Sequence, residues 1–309
     1  MDNLKKVGLT ALGTALVSST AFAGGVSVTG TAQVTLTGED NSNHGNGWSM
    51  TDSLSFSGSA DLDNGWAVTY NQAIDGGAAA GNTDIVVNMG DMGTYTFVKQ
   101  GSSGPVSSWD DKTPSANEES YANVTGATNP DGGFASANAH LYSNGNLMDG
   151  VSISLGYQPS DGSSNLKSST EYGIQYTGID GLEVGYAMGD NEGASAVKEN
   201  SVFYATYAMD AFTIGIQTNE VDSETAAADY DFEALGISYA VSDDMSISYG
   251  MAEVSYENTS LVDQESGALS FSYTNGSMTV SSTYTNVDNI GGTSTTDNNG
   301  YEINFKFAF

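Results

Sequence analysis

The chain has 309 residues, and its 38 acidic residues outnumber its 7 lysines so strongly that the formal net charge is −31 at pH 7. A field of this sign repels nucleic acid, which is therefore excluded as a partner, and attracts small cations. The sequence has no cysteine, which suits export through an oxidising compartment. After residue 23 no apolar run reaches the roughly 20 residues that a membrane helix needs.

The first 23 residues have the three parts of a secretory signal. They start with Lys5 and Lys6, continue through an apolar stretch over 7–17 and end in Ala-Phe-Ala before a glycine. We expect residues 1–23 to be removed and the exported domain to span 24–309. That domain holds 37 acids and 5 lysines, and no arginine.

Large apolar or aromatic residues alternate with polar or small ones along most of the remaining chain. This period of two predicts β-strands with one apolar face and one polar face. Short turns with Asn-Gly, Asp-Asn-Gly or similar residues alternate with longer polar loops. In chain order the pattern predicts sixteen strands, at 26–37, 51–62, 66–74, 83–89, 93–99, 134–143, 150–158, 168–177, 181–190, 199–208, 211–220, 230–240, 244–255, 264–274, 277–287 and 299–309.

An even number of antiparallel strands of about 9–11 residues is typical of a transmembrane β-barrel. In lipid such a sheet must close, because an open edge leaves backbone groups unsatisfied. We therefore predict an all-β fold, a transmembrane antiparallel barrel of 16 strands. The final strand shows the alternation most clearly, since every odd position from Tyr301 to Phe309 is apolar or aromatic.

One segment breaks the rhythm. Between about residues 100 and 133 there is no alternation, and the segment contains three of the four prolines. It follows the fifth predicted strand and is the third of the longer loops. A loop of more than about 15 residues in a tightly connected chain is usually functional or disordered.

These features resemble the trimeric general porins of Gram-negative bacteria. The stretch Gly93-Thr94-Tyr95-Thr96-Phe97-Val98-Lys99-Gln100 looks like the family's fifth strand, and Pro130-Asp131-Gly132-Gly133 looks like its constriction-loop motif. The terminal Phe309 is similar to the signal that the barrel-assembly machinery reads. The resemblance implies a homotrimer in which the third external loop folds inward and narrows each pore.

By the same resemblance Lys99 stands for a basic wall residue and Asp131 for the acidic loop residue opposite it. Strict alternation, however, places Lys99 on the face of Tyr95 and Phe97, so Lys99 lines the pore only if a bulge or the exit into the loop resets the register. The family's arginine cluster opposite the loop has no counterpart, because the chain contains no arginine.

Two sets of charged residues are candidates for the pore. The predicted constriction consists of loop residues and one strand residue, although the loop acids are equally explained as a solvated surface run: Asp110, Asp111, Glu118, Glu119, Asp131 and Lys99. The predicted lumen wall consists of residues on the polar parity of their strands, which in a barrel faces the lumen: Glu171, Glu183, Glu302 and Lys306.

Other kinds of site find little support. Calcium takes oxygen ligands and can bridge carboxylates such as those of Asp110 and Asp111, but no calcium-loop spacing is present, so we predict no metal site and no cofactor. The two histidines, His44 and His140, have no nucleophile motif beside them, so we predict no enzyme activity. Tyrosines on the apolar parity are read as an interfacial girdle or as sugar-stacking platforms, and Trp109 in the long loop leaves a ligand-facing role open.

The leading interpretation is an outer-membrane porin that lets small hydrophilic solutes diffuse passively, with cationic or neutral solutes preferred over anions. Its partners are then outer-membrane lipid and lipopolysaccharide and the barrel-assembly machinery, after export through the periplasm. A receptor or adhesin is the alternative, in which the 100–133 loop folds outward for display. A soluble acidic β-sandwich is disfavoured, because nearly every strand has an apolar face.

Overall fold

In the computed structural model sixteen antiparallel strands close into one barrel, each paired with its neighbours in sequence and β1 paired with β16. The structure describes residues 25–40, 46–76, 79–101, 103–130, 133–134, 138–160, 167–192, 198–224 and 228–309. The predicted fold class is confirmed. The strands are β1 Ser27–Glu39, β2 Trp48–Asp61, β3 Ala67–Asp75, β4 Ala79–Asn88, β5 Thr94–Gln100, β6 Ala139–Met148, β7 Val151–Gln158, β8 Ser169–Ile179, β9 Leu182–Asn191, β10 Lys198–Met209, β11 Phe212–Ser223, β12 Tyr230–Ser242, β13 Met245–Tyr256, β14 Gln264–Asn275, β15 Met278–Asp288 and β16 Asn298–Ala308.

Among the described residues, helical structure is confined to short segments. The helix α1 covers Pro105–Ser108, and single 3-10 turns cover Gly90–Met92 and Ile290–Gly292. Within the described parts of the chain, no helix is long and apolar enough to cross a membrane. The predicted signal sequence, residues 1–23, lies outside the described residues.

The two faces of the sheet differ as the alternation predicts. On β11 the side chains of Phe212, Ile214 and Ile216 are 48%, 47% and 46% exposed, and they point away from the barrel. On the other parity of the same strand, Gln217 and Asn219 are buried. A closed barrel in a membrane has its apolar parity against lipid, so the polar parity lines the lumen.

The barrel closes between its first and last strands. The register runs from Thr31 opposite Ala308 to Glu39 opposite Gly300. Beyond the ladder, the Phe309 N–H donates to the Gly30 carbonyl at 2.8 Å. The main chain of the last residue is thus fixed to β1, while the Phe309 side chain is 79% exposed.

Two strands, β4 and β6, have boundaries that differ from the sequence-based expectation by four or five residues. β6 begins at Ala139 rather than at 134, because Phe134 turns into the lumen and is buried against Val98 and Ala139. β4 begins at Ala79 rather than at 83, since Ala79 pairs with Asp75 of β3 and the ladder needs only backbone groups. The connection between β3 and β4 is therefore shorter than the alternation of turns and loops predicts.

Candidate pore constriction

The described residues of the segment between β5 and β6, which are 103–130 and 133–134, lie along the inner wall of the barrel. They hydrogen-bond to the lumen-facing parity of one strand after another. The wall groups that it contacts, in order along the segment, are Glu171 of β8, Gln217 of β11, Ser248 of β13, Thr283 of β15 and Glu39 of β1. The segment therefore covers the wall from β8 round to β1 and occupies part of the channel cross-section.

The first part of the segment, around Val106 and Trp109 and called the first limb, is held by an apolar cluster inside the lumen. Val106 and Trp109 are buried against Val202 and Tyr204 of β10, and the Trp109 and Tyr204 rings meet edge to face with centroids 5.7 Å apart. Trp109 is only 7% exposed, so its ring packs on the wall and does not face a solute. The Tyr204 hydroxyl donates to Glu183 at 2.7 Å.

In its middle the segment rests on a row of glycines. Gly215, Gly236 and Gly250 lie directly opposite one another on β11, β12 and β13. A Cβ on Gly215 would approach the Pro114 ring to 2.5 Å, and one on Gly236 would approach the Pro114 carbonyl to 2.9 Å. The missing side chains let the loop backbone lie directly on the wall. We call these three residues the glycine row.

Farther along, polar side chains of β15 hold the loop. The amide of Asn117 donates to the Thr283 hydroxyl at 2.9 Å, and the Glu118 N–H donates to the same hydroxyl at 3.2 Å. The Ser281 hydroxyl donates to the Asn117 carbonyl oxygen at 2.6 Å. Because Thr283 is 2% exposed, these bonds are shielded from water.

The loop brings its acids together beside a wall glutamate. Burial first, and then the carboxylates of Glu302 and Glu119, raise the pKa of Glu118 to about 7. Burial also raises the pKa of Glu119, with Asp111 adding to the effect. The pKa of Asp111 is raised by burial and partly restored by Lys112. A hydrogen bond between the Glu118 and Glu302 side chains also raises the pKa of Glu118.

The wall opposite the loop, formed here by β2, β3 and β4 and called the facing arc, carries different polar groups. The Ser57 hydroxyl of β2 donates to the Asn71 side-chain carbonyl of β3 at 2.8 Å, and the Asn71 amide donates to Asp84 of β4 at 2.8 Å. These three half-buried residues lie on the lumen parity of their strands. They present hydroxyl, amide and carboxylate groups to the side of the channel that faces the loop.

Comparison with known proteins places this barrel in a family. Residues 8–309 match the family described as Gram-negative porin. The chain belongs to the Gram-negative porins. It is accordingly an outer-membrane diffusion channel, and the family and the fold point away from an enzyme. No curated protein matched the sequence.

Solved structures share the fold of this porin at low sequence identity. Salmonella typhi OmpF in complex with daunomycin is 12% identical, with a TM-score of 0.70 over 92% of this chain and 97% of that one. An anion-selective porin from Comamonas acidovorans is 14% identical, with a TM-score of 0.69 over 93% and 100%. OmpT of Vibrio cholerae in a trimer form is 15% identical, with a TM-score of 0.67 over 93% and 100%.

The predicted constriction residues are only partly brought together. Four of them lie in the inner segment, namely Asp110, Asp111, Glu118 and Glu119. The backbone carbonyls of Asp110 and Glu118 accept hydrogen bonds that hold this segment in place. Asp131 lies outside the described residues, so its predicted role stays a prediction. The sequence reading missed Lys112, whose Nζ lies 5.7 Å from the Tyr204 ring centroid among the loop acids.

Lys99 lies at a break in the β4–β5 ladder. Thr83 pairs with Gln100 and Asp84 pairs with Val98, so Lys99 is the extra residue of a bulge. This is the register change that its predicted place in the porin wall requires, and its side chain is exposed. Its predicted role as the basic residue of the pore wall stays a prediction.

The predicted lumen-wall residues of the porin divide into two kinds. Glu183 and Glu302 are half-buried on the inner face, and Lys306 is exposed there near the end of the barrel that carries the short turns. Glu171 lies on the same face but is 1% exposed, because the loop covers it and donates backbone N–H groups to it. Parity located Glu171 on the wall, but it could not show that the loop separates it from water.

The remaining sequence candidates fall elsewhere in the porin. His140 lies on the outward face, where its Nδ1 is 2.7 Å from the Tyr95 hydroxyl. His44 lies outside the described residues. Among the residues that the structure describes, no group of three or more His, Cys, Asp or Glu side chains is arranged to hold a metal ion.

Proposed function

We propose that this porin is a cation-preferring diffusion channel for small hydrophilic solutes. The observation that carries the proposal is the charge of the two walls that face each other. The loop supplies Asp110, Asp111, Glu118 and Glu119, and the facing arc supplies one carboxylate, Asp84, beside the neutral polar groups of Ser57 and Asn71. A channel between such walls has a negative potential that concentrates cations and repels anions.

The fold by itself does not determine the sign of the selectivity. The anion-selective porin of Comamonas acidovorans has the same barrel at 14% identity. In this chain the five lysines of residues 24–309 stand against 37 acids. Lys99, Lys112 and Lys306 on the lumen side reduce the negative potential locally without reversing it. Neutral hydrophilic solutes are filtered by size alone.

The reversal potential of the refolded protein in a KCl gradient tests this proposal. We expect a cation-favouring value at about 0.1 M salt, where the screening length is roughly 10 Å. At about 1 M the screening length falls to roughly 3 Å, so the preference weakens. Joint replacement of Glu118→Gln, Glu119→Gln and Asp131→Asn weakens it further. An anion-favouring or zero potential at low salt overturns the proposal.

We also propose a homotrimer, as the resemblance to the trimeric general porins implies. The trimer form of Vibrio cholerae OmpT supports this assembly. The mass of the detergent-solubilised protein is the test, and a monomer contradicts it.

The proposed biogenesis route begins with removal of residues 1–23 and export through the periplasm. The barrel-assembly machinery then reads Phe309 and inserts the chain among outer-membrane lipid and lipopolysaccharide. The exposed Phe309 ring on a fixed main chain suits recognition by another protein. Deleting Phe309 should lower the outer-membrane yield, and an unchanged yield, measured by fractionation, contradicts this role.

A further inference from the structure

The most deeply buried carboxylate described in the lumen is that of Glu171, and neither the cation preference nor the fold explains it. Its side chain is 1% exposed on β8. A buried carboxylate is unfavourable unless hydrogen-bond donors surround it. Its donors therefore indicate what it does.

Both limbs of the inner loop supply those donors. The Val106 N–H on the first limb donates to Glu171 Oε2 at 2.8 Å, and the Phe134 N–H on the second limb donates to Oε1 at 2.9 Å. The two residues are 28 positions apart in the sequence. One carboxylate thus joins the start and the end of the loop on the same point of the wall.

The surroundings of Glu171 leave room for this arrangement. The residues directly opposite it are Gly156 on β7 and Gly189 on β9. A Cβ on Gly156 would approach the Phe134 ring to 2.9 Å, and one on Gly189 would approach the Glu171 side chain to 2.5 Å. In the loop, a Cβ on Gly104 or Gly133 would collide with the carboxylate itself.

Apolar packing brings the same two loop residues to the wall. Val106 is fully buried with Trp109 and Tyr204, and Phe134 is buried with Val98. Each side chain enters its own cluster while its backbone N–H reaches Glu171. A second polar contact holds the second limb, since the Asn191 amide donates to the Gly133 carbonyl at 2.8 Å.

We propose that Glu171 is a positioning residue that clamps the base of the constriction loop to the wall, and so keeps the narrow part of the channel at a constant size. The inference rests on the proposed constricting role of this loop. Charge-assisted bonds to buried N–H groups are among the strong hydrogen bonds in proteins. Glu171 acts through the loop backbone, and its covered carboxylate does not contact the permeating solute.

Loop opening is measured by thiol labelling, because the chain has no cysteine of its own. Val106→Cys places a small buried thiol on the first limb and keeps the backbone N–H that Glu171 binds. Labelling then requires that this limb leaves the wall. We expect Glu171→Gln to speed labelling at least about tenfold, since an amide cannot accept at both positions and loses more than about 1.4 kcal/mol there.

Glu265→Gln is the matched control. Glu265 is an exposed glutamate of β14 whose side chain points outward, away from the lumen and the loop, and its loss should leave the labelling rate unchanged. Single-channel records of Glu171→Gln should show more brief conductance fluctuations than those of the parent. An unchanged labelling rate in a folded, membrane-inserted Glu171→Gln barrel overturns the proposal.

If Glu171→Gln does not accumulate in the membrane, Glu171→Asp provides the same test. It retains the charge, but its shorter side chain cannot reach both N–H groups, so labelling should again rise. Equal labelling of Glu171→Asp and the parent overturns the clamp. Labelling does not require ion flow, so a failure of the cation preference leaves this result interpretable.

Discussion

The two halves of the lumen wall follow the same alternation and serve different purposes. Under the loop, from β8 to β1, polar side chains such as Gln217 and Thr283 are buried and bind loop backbone. On the facing arc, Ser57 and Asn71 bind one another and Asp84 while remaining half-exposed. A polar residue on the lumen parity can therefore be either a structural anchor or part of the wet channel surface, depending on what covers it.

Glycines show the same dependence on what covers them. On the loop side, the glycine row leaves a flat surface on which Pro114 packs. On β2, Gly58 lies on the outward parity, where a Cβ would meet only Val26 at an ordinary 3.7 Å. The glycine row thus has a geometric role where the loop touches the wall, whereas Gly58 has no close neighbour that requires a glycine.

The largest effect is expected from deleting most of the loop, because the loop is what makes the two sides of the lumen wall different. Deleting the residues between Ser107 and Asn129 exposes the loop-side wall to the channel, so single-channel conductance should rise several-fold while the barrel stays folded. Bilayer recording measures this, with heat-dependent migration as the folding control. An intact barrel with unchanged conductance would favour a display role for the loop over a constricting one.

A smaller effect is expected from the glycine row. Gly236→Ala places a methyl group against the Pro114 backbone and should push the loop towards the facing arc, so conductance should fall. The matched control is Gly58→Ala, which should leave conductance unchanged and, by its better strand propensity, stabilise the barrel by up to about 0.5–1 kcal/mol. Equal conductance for both variants would show that the glycine row does not set the position of the loop.

The smallest effect is expected from pH. The raised pKa of Glu118, about 7, means that its charge is present above this value and lost below it. Cation preference should therefore decrease between about pH 8 and about pH 6, where ordinary carboxylates remain ionised. Reversal potentials in the parent and in Glu118→Gln measure the step. A step of equal size in the variant would assign it to another group.

The amino-acid sequence alone determined the barrel, because each part of that prediction depends on local pattern. Alternation indicates strands, an even count with alternating connections indicates closure, and the Tyr301–Phe309 pattern marks the closing strand. Boundaries failed where pairing needs no side-chain pattern, as at Ala79, or where an apolar residue leaves the sheet, as Phe134 does.

Only the tertiary structure decided which lumen residues meet. Glu171, Glu183 and Glu302 have equivalent positions in the alternation, yet one is clamped under the loop, one binds Tyr204 and one faces Glu118. No local sequence pattern marks Lys112 or the glycine row. Their roles arise because the loop contacts strands more than 100 residues away in the sequence. Periodicity assigns a residue to a face of the barrel, and the path of the loop then decides whether that residue meets water.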